Sequence, residues 1–322
     1  MMSTAIQNFA KQFAYQPKIE NKADLKKKNH IVILGMGGSH LGADVIALLK
    51  PELRLTIHSD YGLPVIPKNE AKDTLIIASS YSGNTEEVID GLQLTLKQKL
   101  TVAVISVGGQ MIEIAKKKKL PYVQIPNTGV QPRSALGFSV MGLLALLGEQ
   151  KLIKELANLQ TTLQPKKWQN KGLALSKKLI DRIPVVYSSN TNRAVAYNWK
   201  IKLNETGKIP AFYNVVPELN HNEMTGFDVV EASAHLSKQF IFIFLEDKSD
   251  HPKVQQRMAV LKKLYKKRGL VVESVPVAGA NQAQKIFESL LLADWTAVSI
   301  AAHYGLESEQ VPMVEEFKKM IR

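Results

Sequence analysis

Ser80, Ser82 and Thr85 set three hydroxyls close together, directly after the apolar run Leu75, Ile76, Ile77, Ala78 and directly before Glu86 and Glu87. A buried strand that ends in hydroxyls and a glycine, then enters an apolar-periodic segment, reads as strand, turn, helix. At such a turn the unpaired N–H groups and the positive end of the helix dipole face outward, which suits a phosphate or a carboxylate. Residues 79–87 (SSYSGNTEE) also fit an ordinary βα turn with Ser/Thr caps. A second glycine-rich turn, GMGGSHLGAD at residues 35–44, follows the apolar run at residues 31–34. Two nucleotide motifs fail there. G-x-G-x-x-G would need glycine where His40 stands, and G-x-x-x-x-G-K-[ST] meets Ala43 and Asp44 after Gly42. NAD and ATP are thus unsupported, and a backbone-rich turn carrying Ser39 suits a smaller anion such as a phosphomonoester.

Three further side chains could do chemistry. Arg133 follows Pro132 at a helix entrance, the end a cation avoids unless an anion lies nearby; an ordinary surface arginine fits as well. Glu205 lies in the last turn of a helical pattern that opens near Asn192 and closes at Gly207. There the dipole favours its neutral form by about 0.3–1 kcal/mol, which suits a general base, although a solvent-facing glutamate or a partner of Lys208 fits too. His221, between Asn220 and Asn222, is the side chain type best placed to move a proton near neutral pH, while many loop histidines are inert. No H-x-H, H-E-x-x-H or carboxylate cluster points to a metal, and no cofactor is expected.

The elements that must hold these residues alternate strand and helix. Strands are expected at residues 30–34, 55–57, 75–78, 101–105 and 122–125, with helices at residues 45–49, 86–97 and 140–147. This rhythm predicts a doubly wound parallel sheet whose ligands gather at the strand C-terminal ends. After a polar helical connector at residues 149–170, strand and helix pairs begin again at residues 183, 240 and 271, which suggests a second copy of the same unit. The second copy carries YSSNTN and an acidic turn with Glu246, Asp247 and Asp250 in place of the glycine-rich turns. Those charges would repel a phosphate, so one anion site is expected, in the first half. Three parts follow: a helical arm at residues 1–29, a first α/β domain at 30–150 and a second at 151–322.

Composition bounds the rest. A chain of 322 residues can bury a core in each of two domains. The absence of cysteine excludes disulfides and thiolate sites and fits a reducing compartment. The opening MMSTAIQNFAKQF lacks the apolar core and cleavage site of a secretory leader, and no apolar run reaches the roughly 18 residues of a membrane span. A cytoplasmic protein is expected. The formal charge of +13 comes from 42 Lys+Arg against 29 Asp+Glu. The basic residues cluster at residues 26–28, 116–119, 177–178 and 262–268, mostly where helical patterns end, where cations complement the dipole. Only Tyr265 interleaves them, so neither nucleic acid nor a membrane surface is the expected partner.

Five stretches in order, GMGGSHLGAD, SSYSGNTEE, PRSALGF, NETGK and ELNHNEM, resemble the bifunctional phosphoglucose/phosphomannose isomerases, a family built from two tandem sugar isomerase (SIS) domains. The resemblance covers most of the chain and implies two doubly wound SIS subdomains flanked by helices. It implies an aldose–ketose isomerase that interconverts glucose 6-phosphate, fructose 6-phosphate and mannose 6-phosphate through a cis-enediol. Gly38, Ser39, Ser80, Ser82 and Thr85 then match the phosphate site, Arg133 the cation that stabilises the enediolate, and Glu205 the base between C1 and C2. His221 matches the ring-opening histidine, which family dimers contribute across the subunit interface. Near the C-terminus Thr296 matches the threonine linked to acceptance of both sugar epimers, but His303 stands where the family has a lysine, and no lysine occurs between Lys285 and Lys318. Histidine can still carry a proton there. A sugar-phosphate sensor without catalysis and an aminosugar-phosphate isomerase of the same fold are the alternatives.

Overall fold

The computed structural model describes residues 2–22, 25 and 28–321. Of the basic cluster at residues 26–28, Lys26 and Lys27 lie outside the described residues. Helix α1 (Met2–Gln7) and the short strand β1 (Ile19–Glu20) precede an alternation of strand and helix. It runs β2 (His30–Leu34), α2 (Leu41–Leu49), β3 (Arg54–His58), β4 (Thr74–Ser79), α3 (Glu86–Lys97), β5 (Thr101–Ser106), α4 (Gly109–Lys118), β6 (Tyr122–Gln124) and α5 (Leu136–Leu146). Three helices, α6 (Gln150–Ala157), α7 (Leu159–Thr162) and α8 (Gln169–Leu179), then lead to β7 (Ile183–Ser189), α9 (Arg193–Glu205) and β8 (Phe212–Val216). The chain continues through α10 (Glu223–Gly226), α11 (Ala234–Ser237), β9 (Phe240–Glu246), α12 (Pro252–Lys267), β10 (Val271–Pro276), α13 (Gln282–His303) and α14 (Pro312–Met320).

Contacts divide the chain into two units, one formed by Asn8–Leu163 and the other by Met1–Gln7 with Gln164–Arg322. In Asn8–Leu163 the strand order is β1-β6-β5-β4-β2-β3, and only β1 runs antiparallel to its neighbour. Every residue of β2 and β4 is buried, as a central parallel strand covered on both faces requires. Val32, Leu34, Ile76 and Val104 pack on Val88 and Leu92 of α3 and on Met111, Ile112 and Ala115 of α4. Helix α5 is buried on nearly all sides, so it shows no amphipathic stripe and its apolar sequence gave only its second half away. It begins at Leu136, ahead of the expected residue 140.

In the other unit four parallel strands take the order β10-β9-β7-β8. That is the order β5-β4-β2-β3 of the first, so the repeated rhythm reflects a repeated topology, with β8 in the place of β3. Strand β8 escaped the sequence reading because FYNVV is short and closely flanked by Pro210 and Pro217. Helix α13 runs on to His303, since its apolar pattern continues through Trp295, Ala297, Ile300 and Ala301. The basic clusters fall as expected: Lys116–Lys118, Lys177 with Lys178, and Lys266 with Lys267 occupy the last turns of α4, α8 and α12. No helix among the described residues is long and apolar enough to cross a membrane.

Candidate active site

In Asn8–Leu163 the turns after β2 and β4 lie side by side because their strands are hydrogen-bonded neighbours. Ser39 joins them. Its hydroxyl accepts the Tyr81 N–H at 2.9 Å, and its carbonyl accepts the Ser79 hydroxyl at 2.7 Å. The hydroxyls of the second turn also hold its shape: Ser80 Oγ and Thr85 Oγ1 are 2.7 Å apart, Ser80 Oγ accepts Gly83 N–H at 3.1 Å, and Ser82 Oγ accepts Asn84 N–H at 3.3 Å. Gly83 has φ +74°, and a Cβ there would stand 1.9 Å from the Gly108 carbonyl oxygen; only glycine fits. Thr85 caps α3 by position only, with no side-chain bond to the helix amides, so its hydroxyl does not shield the dipole end from an anion.

A third segment meets these turns. Arg133 sits in the short turn Pro132–Ser134 before α5 and is 2 % exposed, which removes the surface-arginine alternative. Gly38 lies against this turn so closely that a Cβ on it would meet Pro132 Cβ at 2.9 Å and the Arg133 nitrogen at 3.0 Å. Gln12 fastens the far side, donating to the Ser134 carbonyl at 2.7 Å and accepting Gly137 N–H at 2.9 Å. Ser39, Ser79 and Ser80 share a small cavity with Gly38 and Pro132. The fold thus gathers Gly38, Ser39, Ser80, Ser82, Thr85 and Arg133 from three loops at the C-terminal ends of the strands.

The remaining candidates belong to the second unit. Glu205 is the last residue of α9 and half-buried, and the Lys208 ammonium bonds its backbone carbonyl at 2.7 Å. The helix ends at Glu205 with Thr206 as its C-cap, so Gly207 directly follows it, as expected, and the left-handed residue beyond is Lys208, φ +61°. His221 is exposed, at the end of the short turn Glu218–His221. Thr296 is fully buried in α13, and its hydroxyl donates to the Leu292 carbonyl at 2.8 Å. His303, the last residue of α13, is exposed and meets the Tyr304 ring edge-on at 5.1 Å. Seven positions separate it from Thr296, which is about 10 Å along a helix, so the two share a face without touching.

At the turn equivalent to the anion turn, the acidic side chains are bonded within the turn, beside a cavity lined by Glu246, Asp247 and Lys285. Ser189 donates to Asp250 at 2.6 Å, Asn192 donates to Ser189 at 3.2 Å, and Lys285 pairs with Asp247 at 2.9 Å. Burial raises the pKa of Asp250, whereas Asp247 is lowered because hydrogen bonds from Ser249 and Lys285 together outweigh its burial. Glu246 is paired with Lys262. Three pairings were not legible from sequence: His40 with Asp44 at 2.7 Å, buried Lys202 with Asp294 at 2.6 Å, and Glu223 with Tyr187. The His40 and Asp44 spacing of four on a helix was the one available signal. Among the described residues no group of three or more His, Asp or Glu could hold a metal ion.

Residues 168–321 match the family described as bacterial phospho-glucose isomerase C-terminal SIS domain. A bifunctional phosphoglucose/phosphomannose isomerase of Caldicellulosiruptor bescii is 32% identical over 308 residues, covering 90% of this chain and 89% of the relative. One from Aquifex aeolicus is 30% identical over 326 residues, covering 98% and 97%. Among solved structures, the C-terminal domain of glucosamine-fructose-6-phosphate aminotransferase from Francisella tularensis superposes with a TM-score of 0.71 at 14% identity, over 96% of this chain and 98% of that one. At that identity it speaks for the fold alone.

Proposed function

The chain belongs to the bifunctional phosphoglucose/phosphomannose isomerase family, and we propose that it interconverts glucose 6-phosphate and mannose 6-phosphate with fructose 6-phosphate. The observation that carries the assignment of residues is the seating of Gly38 against the Pro132–Arg133 backbone, beside the serine turns. Gly38, Ser39, Ser80, Ser82 and Thr85 bind the phosphate, and the buried Arg133 faces the negative charge that develops on the sugar oxygens. His221 takes the anomeric hydroxyl proton and returns one to the ring oxygen, which opens the ring. Glu205 takes the proton from C2 of the aldose, leaving a cis-enediolate, and returns it to C1 to give the ketose. Thr296 and His303 are assigned to the recognition of both epimers and to assistance in ring opening.

The three-part division, with an arm at residues 1–29 and domains at 30–150 and 151–322, belongs to the same reading, as does a cytoplasmic setting for a chain without cysteine. So does a homodimer in which His221 serves the neighbouring subunit, supported by the exposure of His221 and of Phe212, Val230 and Leu236 around its segment. Light scattering that finds only monomer at assay concentration would count against the dimer. Purified protein is expected to turn over glucose 6-phosphate and mannose 6-phosphate in coupled assays. Tight binding of fructose 6-phosphate without turnover would replace the enzyme by a sensor.

A further inference from the structure

The segment that presents His221 is exposed at its tip and pinned on both flanks. Two residues before the histidine, Leu219 is fully buried in the core formed with Tyr187, Val216 and Phe242. Two residues after it, the Glu223 carboxylate accepts the Tyr187 hydroxyl at 2.5 Å on one oxygen and the Asn214 amide at 2.6 Å on the other. Tyr187 and Asn214 are register partners on β7 and β8, so one carboxylate bridges two adjacent strands. Asn222 closes the loop between the anchors: its side chain accepts Glu223 N–H at 2.6 Å and donates to Glu218 at 2.8 Å. Burial raises the pKa of Tyr187, and that of Tyr265, 3.3 Å away, is pushed up to about 12, so both phenols remain donors at working pH. Bonds to an ionised acceptor are roughly twice as strong as neutral ones. A surface loop needs none of this, because leaving Glu223 in water would cost nothing.

We propose that Glu223 is a positioning residue for His221, a carboxylate clamped by Tyr187 and Asn214 that holds the histidine turn in one geometry for proton transfer. The proposal rests on the assignment of ring opening to His221. The two are separated by comparing fructose 6-phosphate with 5-deoxyfructose 6-phosphate, which lacks the hydroxyl that closes the furanose ring and therefore needs no opening. Turnover of the first and deuterium uptake at C1 of the second, from heavy water, are measured for wild type, Glu223→Gln, Tyr187→Phe and His221→Ala. Misplacement of a catalytic group by about 1 Å costs up to about 10²-fold. Glu223→Gln and Tyr187→Phe are therefore expected to slow fructose 6-phosphate turnover about 10- to 100-fold and to leave uptake on the open substrate within about twofold of wild type. Tyr187→Phe keeps the ring that packs against Phe242 and Phe244, so it remains a test if Glu223→Gln folds poorly. A loss of equal size on both substrates, or none on either, would overturn the role of Glu223. His221→Ala with unchanged turnover of fructose 6-phosphate would instead remove the ring-opening assignment on which the proposal stands.

Discussion

Gly38→Ala adds one methyl group at the point where the glycine-rich turn meets the Arg133 turn. The new carbon would stand 2.9 Å from Pro132 Cβ and 3.0 Å from the Arg133 nitrogen. Carbon atoms in contact settle about 3.5–4.0 Å apart, so the two turns must separate by roughly 0.6 Å. Overpacking of this kind costs about 1–3 kcal/mol. The greater consequence is positional, because Pro132 and Arg133 move away from the serine turns that would hold the phosphate. A displacement approaching 1 Å at a catalytic group costs up to about 10²-fold, so kcat/KM for fructose 6-phosphate should fall about 10- to 100-fold. The unfolding midpoint should drop by about 2–4 °C for each kcal/mol lost. Gly129→Asn is the open-space control: Gly129, unlike Gly38, has a positive φ, +73°, which asparagine tolerates, and nothing lies within 4 Å of a Cβ there. A folded Gly38→Ala enzyme with wild-type kcat/KM would show that this contact does not position Arg133.

Lys202→Met removes one ionic partner of Asp294, in a pair whose side chains are 3% and 9% exposed. Breaking a buried pair from one side costs about 3–5 kcal/mol, whereas Lys202→Met with Asp294→Leu should recover most of it; urea unfolding of both variants checks the difference, and equal losses would contradict it. His30 gives a pH signature. Burial first, and Arg54 second, lower its pKa, outweighing Glu70 at 3.7 Å. A histidine favoured neutral in the fold contributes stability that is full above its unfolded pKa of about 6.5 and is lost as pH falls through the lowered folded pKa. His30→Gln, which keeps a partner for Thr56, should therefore lose less stability than wild type between pH 7 and the acid limb in thermal scans; parallel curves would refute the assignment.

What could be read from sequence was what the chain expresses locally. The strand after strand rhythm, the helix from Glu86 to Lys97 and the placement of Glu205 at a helix end all rest on periodicity and turn chemistry within a few residues. The two serine and glycine turns were legible for the same reason, and the order of the motifs pointed to the family. Contacts between distant segments were not. Nothing in GMGGS announces that its second neighbouring glycine must admit the Arg133 backbone, almost a hundred residues away. Glu223 read as one more polar residue beside His221, because its significance lies in Tyr187 and Asn214 on two strands, one of them unrecognised. Lys202 sat unnoticed a turn before Glu205, since an ion pair with α13 leaves no mark in local spacing. Even the acidic turn of the second half was legible only as a sign of charge. The structure shows those carboxylates bonded to Lys285, Lys262, Ser189 and Asn192, so part of their charge is countered within the turn.

In the proposed mechanism the Glu205 carboxylate carries the proton between C1 and C2. Glu205→Gln keeps the size and the helix end while removing the base, and its kcat for fructose 6-phosphate, followed by coupled oxidation of the glucose 6-phosphate formed, is the most direct measurement. A positioned general base contributes about 10²–10⁴-fold, so kcat is expected to fall by that factor with KM little changed. Turnover within a few-fold of wild type would contradict that role for Glu205.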